Sequence, residues 1–457
     1  MRRAISLGLM LAAVPAAAQQ VSTPPTSSAH HRAIAAGYKA LALCEGVIAA
    51  GRSEAAVAAL ELTGIYPEYE AMVAKLPARI DRPARRVSVV FDLALKPRVA
   101  AWSPRFGCML APIGGERIPL AGEPGNAPLP APADPRPWPM GDRGIAPRPS
   151  DALAVRVTAA MTAFYRGRTT GIVIVRDGRI IAESYAEGFG PFTANRTWSV
   201  AKSIAGTVAG LAVADRLVDP RAPALVPEWR TPGDPRAAIT FENLLRMSSG
   251  LHSDTAGNRT DAIYFGGTTV TEQATGWPLI APPGTRFRYA NNDILLAMRA
   301  IRAAMADDAR YHAYPATRLF APLGMRHTTA GADWQGNFVL SSQVYTTARD
   351  LARLGQFWLQ DGVWQGRRLL PAGWMRTMTT PVGPQPAGNG PRYGATMWLF
   401  GPQQGLPAGT FSAQGNRGQF VMVVPQHRLV IVRRGEDPVG NGFEVERFAA
   451  DVIAALK

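Results

Sequence analysis

A serine and a lysine three positions apart are the first residues in this 457-residue chain whose spacing suits catalysis. Ser199 and Lys202 occur in the segment TWSVAK, at the start of a stretch with helical apolar spacing. Residues three apart lie on one face of a helix, so the amine can reach the hydroxyl. A partly buried lysine can lose its proton and act as the base for a serine nucleophile. The alternative is a helix N-cap followed by a solvated lysine.

Lysine usage favours proton transfer at this position. Five of the 49 basic residues are lysines, and Lys202 is the only lysine between positions 97 and 456. Arginine stays protonated in proteins, whereas lysine can be deprotonated when it is buried. A lysine at position 202, in a chain whose other basic residues are nearly all arginine, therefore indicates that Lys202 acts as a base.

Tyr289 and Asn291 form the second candidate element. They stand in the segment RYANND, where a turn leads into a predicted helix. A tyrosine beside a lysine can relay a proton to a leaving group. An asparagine amide can orient the lysine and hydrogen-bond a substrate carbonyl. A capped helix preceded by a packed aromatic residue is the alternative.

The third candidate element is Gln414-Gly415-Asn416, which leads through Arg417-Gly418-Gln419 into the apolar strand segment FVMVVP. Glycine lets the backbone approach a ligand closely. The N–H of Asn416 could therefore face Ser199 and complete an oxyanion hole with the N–H of the serine itself. A glycine-rich turn before an edge strand is the alternative.

These three motifs, in this order and at these separations, resemble the class C β-lactamase-related serine hydrolases of the β-lactamase and penicillin-binding-protein superfamily. The segments ITFENLLRMSSGL, PPGTRFRYANND, LFAPLGMRHT and YTTARDLARLGQFWL also look like this family, over roughly residues 150–457. The resemblance implies that Ser199 is the nucleophile, Lys202 the general base and Tyr289 its partner in proton transfer. It also implies an oxyanion hole made by the backbone N–H groups of Ser199 and Asn416.

The third motif departs from the family pattern. Members that hydrolyse antibiotics or process peptidoglycan usually carry Lys-Thr-Gly or His-Thr-Gly there, and this chain has Ala413-Gln414-Gly415. This chain therefore lacks the cation and the hydroxyl that hold a substrate carboxylate in those members. Their absence favours esterase, amidase or oligomer hydrolase activity over β-lactam hydrolysis. The segments AQGNRGQ and YGATMW look most similar to the 6-aminohexanoate-dimer hydrolase branch. Trp398, in the second segment, either shapes an apolar substrate wall or packs in the core.

The elements around these motifs predict an α+β fold. A helix from Asp151 precedes two β-branched runs joined by Asp177-Gly178, a strong hairpin signal. Two further strands and a final helix close the chain. We therefore predict an antiparallel sheet flanked by terminal helices, with an inserted and mostly helical region. The resemblance implies the same β-lactamase/transpeptidase-like arrangement, and a small N-terminal α+β unit lies outside it.

The N-terminus predicts export to the periplasm or the extracellular space. Two arginines, an apolar run and small residues indicate a signal peptide at residues 1–18. The accessory unit then spans residues 19–111, a Pro/Gly-rich linker 112–149 and the hydrolase domain 150–457. Later segments fall short of the ~18 to 20 apolar residues of a membrane span, so we expect no stable transmembrane anchor.

Cys44 and Cys108 are the two cysteines of the chain. An oxidising compartment favours a disulfide between them, and two buried free thiols are the alternative. Neither has a partner at metal-ligand spacing, and no His-x-His pair occurs, so we predict neither a metal nor a cofactor.

From the composition and the motifs we predict that the binding partner is a small-molecule substrate with an ester or amide bond. The net charge is +15, but it comes from scattered arginines rather than basic runs, so we expect no nucleic-acid partner. A Ser-His-Asp hydrolase is disfavoured because no Gly-x-Ser-x-Gly elbow occurs. A penicillin-binding sensor of the same fold without turnover, or a true β-lactamase, remains the alternative.

Overall fold

The computed structural model of the protein describes residues 28–122, 128–252 and 260–457. The predicted signal peptide lies outside the described residues. The strands are β1 (Ala78–Asp81), β2 (Arg86–Val89), β3 (Arg98–Ser103), β4 (Gly107–Leu110), β5 (Thr169–Arg176), β6 (Arg179–Tyr185), β7 (Asn195–Arg196), β8 (Thr329–Ala330), β9 (Val344–Thr346), β10 (Val363–Trp364), β11 (Arg367–Arg368), β12 (Arg392–Tyr393), β13 (Trp398–Phe400), β14 (Thr410–Gly415), β15 (Gln419–Val424) and β16 (Leu429–Gly435).

The helices cluster before, between and after these strands. They are α1 (Ala29–Leu43), α2 (Glu54–Leu60), α3 (Pro67–Val73), α4 (Asp151–Met161), α5 (Val200–Ala214), α6 (Phe241–Leu245), α7 (Asp261–Tyr264), α8 (Val270–Gln273), α9 (Asn291–Met305), α10 (Asp308–Pro315), α11 (Ala321–Leu323), α12 (Ala348–Leu359), α13 (Trp374–Met378) and α14 (Val445–Ala455). A π-helical turn, Cys44–Ala49, continues α1. In the described residues none of these helices has the length and apolar character needed to cross a bilayer.

The main sheet is antiparallel and has the strand order β12-β13-β14-β15-β16-β5-β6. Its β5–β6 hairpin turns at Asp177 and Gly178, whose φ angles of +52° and +77° fit a type I′ turn. Side chains alternate across β5. Val173 and Val175 enter the large core beneath the helical region, while Ile172 and Ile174 enter a smaller core under the terminal helices α4 and α14. The predicted α+β architecture is confirmed.

The N-terminal residues form a second antiparallel sheet, in the order β1-β2-β3-β4, covered by α1. The predicted disulfide between Cys44 and Cys108 is present and joins the end of α1 to β4. Arg98 is buried in β3 and donates hydrogen bonds to Ala33 O at 3.1 Å and to Gly266 O at 3.3 Å. Apolar side chains of this unit and of the rest of the chain belong to one continuous core.

The proline-rich segment expected to be a linker is held by hydrogen bonds where it is described. Arg353 of α12 donates to the carbonyls of Pro139 and Gly141, each at 2.6 Å. The indole of Trp138 donates to Gly178 O at 2.9 Å. The segment therefore packs along the outside of the main sheet and α12. The domain boundaries at 111 and 149 remain predictions.

Candidate active site

Ser199 lies at the N-terminal end of the buried helix α5, whose first residue is Val200. Small side chains allow this burial, because a Cβ at Gly206 or Gly210 would collide with Thr396 or Trp374. The preceding Trp198 has a φ of +50°, a left-handed conformation that turns the chain sharply into the helix. Ser199 remains partly exposed at this turn. The free N–H groups of the helix end favour negative charge beside it.

Lys202 is buried one turn into α5, with 1% of its surface exposed. Its Nζ lies 2.9 Å from Ser199 Oγ, 2.6 Å from Asn291 Oδ1 and 2.9 Å from Ser341 O. Burial holds the pKa of the Lys202 amine well below its usual value, and the positive charge of Arg196 lowers that pKa further. The structure therefore joins the predicted serine and lysine and favours a neutral amine.

The Ser341 carbonyl is a contact of Lys202 that the sequence analysis missed. A backbone acceptor can come from any residue type, so no motif could have revealed it. The side chain of Ser341 exchanges a 2.6 Å hydrogen bond with the Tyr264 hydroxyl, which helps to hold this segment against α7.

Asn291 begins helix α9, as the sequence predicts, and its amide has a protein partner at each end. Oδ1 accepts from Lys202 at 2.6 Å, and Nδ2 donates to Thr260 Oγ1 at 2.7 Å. The two contacts together hold the amide between Lys202 and Thr260. Asn291 therefore orients the Lys202 amine.

Tyr289 lies on the open side of the Ser199–Lys202 pair. Lys202 Nζ lies 5.0 Å from the centre of its ring. Burial raises the pKa of Tyr289 to about 12, and hydrogen bonds with Ser199 and Trp398 oppose the rise. The Trp398 ring packs against it with centroids 5.3 Å apart. The phenol is therefore protonated at neutral pH, and it lines the same cleft as Ser199.

The third motif runs along the end of β14 and touches the serine turn. A Cβ on Gly415 would lie 3.0 Å from Ser199 N and well inside contact distance of Thr197 O. Only glycine permits this approach of the strand to the serine backbone. Gln414 is partly buried beside it, and Asn416 is exposed in the turn that follows.

These residues line an open cleft of about 580 Å³. Aromatic and amide side chains dominate its walls, and Trp398 is one of them while also packing against the core. Tyr66, which precedes α3 in the N-terminal unit, also lines the cleft. Nothing local in the sequence links Tyr66 to a serine 133 positions away, so no chemistry could be predicted for that unit. The residues that line the cleft around the serine include Tyr66, Ser199, Tyr289, Asn291, Trp398, Gln414, Gly415 and Asn416.

Comparison with known proteins identifies the family and the fold of the chain. The family model described as Beta-lactamase matches residues 155–455. The 6-aminohexanoate-dimer hydrolase of Paenarthrobacter ureafaciens is 29% identical over 321 residues, covering 63% of this chain and 78% of that protein. A family VIII carboxylesterase has a TM-score of 0.54 at 16% identity, covering 68% of this chain and 98% of that one. A penicillin-binding protein homolog from Caulobacter crescentus has a TM-score of 0.53 at 16% identity, covering 68% and 99%.

At these identities the structural similarities show the fold. The family match extends over well more than half of the chain, and the fold is the β-lactamase/transpeptidase-like one. The chain therefore belongs to the beta-lactamase family, whose relatives named above include hydrolases. The N-terminal unit, residues 28–111, lies outside the matched range.

Proposed function

We propose that the protein is a serine hydrolase that cleaves an ester or amide of a small molecule through an acyl-enzyme on Ser199. The observation that carries the proposal is the 2.9 Å separation between Ser199 Oγ and the buried Nζ of Lys202. A serine hydroxyl is a weak nucleophile until a base takes its proton. An amine kept neutral by burial is such a base.

The partners of Lys202 support its action as a base. A neutral amine has two N–H donors and one lone pair, and two of its neighbours, Asn291 Oδ1 and Ser341 O, can only accept. Those two acceptors use both N–H groups. The lone pair of a neutral amine is then left for the third neighbour, Ser199 Oγ at 2.9 Å, and we propose that the serine hydroxyl donates its proton to it.

The reaction proceeds in two acyl transfers. The Ser199 proton moves to Lys202 as Oγ bonds to the substrate carbonyl carbon, and the carbonyl electron pair moves onto oxygen. The N–H groups of Ser199 and Asn416 stabilise that oxyanion. As the bond to the leaving group breaks, Tyr289 gives its proton to that group and takes one from Lys202. Water then loses a proton to Lys202 as it attacks the acyl-enzyme, and Lys202 returns that proton to Ser199 Oγ as the bond from Oγ to the acyl carbon breaks.

The substrate we propose lacks a recognised carboxylate. In the third motif Ala413 stands where the family pattern has a lysine or histidine, so no cation is offered to a carboxylate, and the amide of Gln414 stands in place of the threonine hydroxyl. The named carboxylesterase and dimer hydrolase among the relatives support ester or amide hydrolysis. The amides of Gln414 and Asn416 and the ring of Trp398 would contact such a substrate across the cleft.

The test is covalent labelling of Ser199 combined with turnover of p-nitrophenyl acetate. Intact-mass analysis should show one fluorophosphonate adduct on the chain and none on Ser199→Ala. Ser199→Ala should also abolish turnover while the thermal midpoint stays within a few degrees. Lys202→Arg keeps the charge but removes the base, so we expect turnover to fall by about 100-fold or more.

Lys39→Arg is the matched control, because Lys39 is also buried and donates to backbone carbonyls, those of Val73 and Leu76. It should leave activity near that of the unaltered chain. Retention of most activity in Lys202→Arg would refute the base assignment. Slow release of a penicillin adduct from Ser199, with no ester turnover, would favour the sensor alternative.

We also propose that the protein is exported. The predicted signal sequence at residues 1–18 and the Cys44–Cys108 disulfide support this location, because disulfides persist in oxidising compartments. Fractionation of the producing cells, with N-terminal sequencing of the mature chain, tests both export and the cleavage site.

A further inference from the structure

The N-terminal unit holds the turn that carries Asn416. Arg417, the next residue, has a φ of +55° and a buried guanidinium. That group donates to three backbone carbonyls of the N-terminal unit, Leu60 O at 2.7 Å, Thr63 O at 3.0 Å and Gly64 O at 2.9 Å. Five-donor guanidinium groups suit such fixed multiple contacts. The position of the proposed oxyanion turn therefore depends on residues 60–64.

The same N-terminal residues hold a second cleft segment, residues 437–443. Val439 N donates to Gly64 O at 3.0 Å. Gly64 has a φ of +61°, and a Cβ there would lie 2.8 Å from Pro438 Cβ, so only glycine allows the two segments to approach this closely. Two walls of the cleft are thus attached to one turn of the N-terminal unit.

Tyr66 extends from this turn into the cleft. Its hydroxyl lies 3.5 Å from Asn416 Nδ2, and its ring packs edge-on against Tyr69 with centroids 6.2 Å apart. Tyr69 is itself buried and donates to Asp261 Oδ2 at 2.7 Å. The Tyr66 ring is therefore a supported part of the cleft wall, beside the proposed oxyanion residue.

The charged groups of the same wall are already paired. Arg417 binds Glu436 at 2.6 Å, and Asp437 binds Arg433 at 2.7 Å. Both pairs are buried, so these charges are satisfied within the protein. The Tyr66 ring and the Asn416 amide add uncharged surface to this wall. A cleft of about 580 Å³ also has room for far more than an acetyl group.

We propose that Tyr66 is a specificity-determining residue that contacts the part of an extended, uncharged ester or amide lying beyond the scissile bond. The inference rests on the proposed serine hydrolase function. It assigns the N-terminal unit a role in selecting the substrate, while Ser199 and Lys202 carry out the reaction.

The experiment compares short and extended esters in Tyr66→Ala and Tyr66→Phe. One pair extends the acyl side, p-nitrophenyl acetate against the p-nitrophenyl ester of N-benzoylglycine. The other extends the alcohol side, phenyl acetate against 4-biphenylyl acetate. In at least one pair, Tyr66→Ala should lower kcat/KM for the extended ester about fivefold relative to the short one, mainly through KM. Tyr66→Phe keeps the ring and should give a smaller change.

Phe164→Ala is the control, since Phe164 is an exposed aromatic residue outside the cleft, and both ratios should stay constant. Unchanged ratios in both pairs for Tyr66→Ala, with Ser199 still labelled by fluorophosphonate, would overturn the inference and leave the proposed function standing. If Tyr66→Ala does not fold, the ratios of Tyr66→Phe decide. Absence of Ser199 labelling in the unaltered chain would overturn the proposed function, and this inference with it.

Discussion

Gly415→Ala should inactivate the protein by displacing the serine backbone rather than by removing a functional group. The added Cβ would lie 3.0 Å from Ser199 N and much closer to Thr197 O. Since relaxed carbon contacts lie at about 3.5 Å, the end of β14 and the serine turn must separate by roughly 1 Å. An error of this size in a reacting geometry costs about 100-fold in rate. The overpacking itself should destabilise the fold by about 1–3 kcal/mol.

The assay follows the rate of Ser199 labelling by fluorophosphonate, together with p-nitrophenyl acetate turnover and thermal unfolding. Both rates should fall by about 100-fold in a chain that still unfolds cooperatively. Gly401→Ala is the control, because Gly401 follows β13 in the same sheet and a Cβ there meets nothing within 4 Å. Rates within threefold of the unaltered chain for Gly415→Ala would show that β14 does not constrain the serine backbone, and would refute the oxyanion geometry.

Two further predictions concern pH. The log of kcat/KM for p-nitrophenyl acetate should rise with pH and level off well below pH 10.5, the usual lysine pKa, because Lys202 must be neutral and burial lowers its pKa. Tyr289 has a pKa of about 12, so its deprotonation should not lower kcat/KM below about pH 11. A rise centred near 10.5 would contradict the base assignment. Glu45 is buried and accepts from Cys108 N, and burial raises its pKa to about 8 from 4.5. The folded state therefore binds the proton more tightly, and the stability that this provides is complete below about pH 4.5 and lost as pH rises through about 8. Glu45→Gln should remove this loss of stability, so urea unfolding at about pH 9 should show that the variant is more stable than the unaltered chain. The same pH dependence of stability in the variant and the unaltered chain would contradict this prediction.

Local chemistry explains what could be predicted from the sequence. The turn at Asp177-Gly178 demands two left-handed residues, and few residue pairs adopt that conformation readily. Ser199 and Lys202 are neighbours on one helix, so their contact follows from helical geometry alone. The disulfide followed from composition, because Cys44 and Cys108 have no other cysteine to pair with.

Contacts between distant segments could not be predicted in this way. Arg417 reaches carbonyls more than 350 positions away, and the sequence marks a backbone carbonyl with no particular residue type. Tyr66 precedes a short helix and looks like any partly buried tyrosine until the fold places it beside Asn416. Strand β1 could not be predicted either, because its sequence, ARID, has too little apolar alternation to indicate a strand.

The continuous core has a consequence for how the molecule can be divided. Leu41 and Phe106 of the N-terminal unit pack in the same apolar cluster as Phe265 and Phe338, which belong to the family-matched region. Removing the residues before position 150 would expose to water the apolar side chains of the family-matched region that pack against the N-terminal unit. Exposed apolar surface of this kind promotes aggregation. We therefore expect the family-matched segment alone to be less stable than the whole chain, and heat should melt both parts of the whole chain in a single transition.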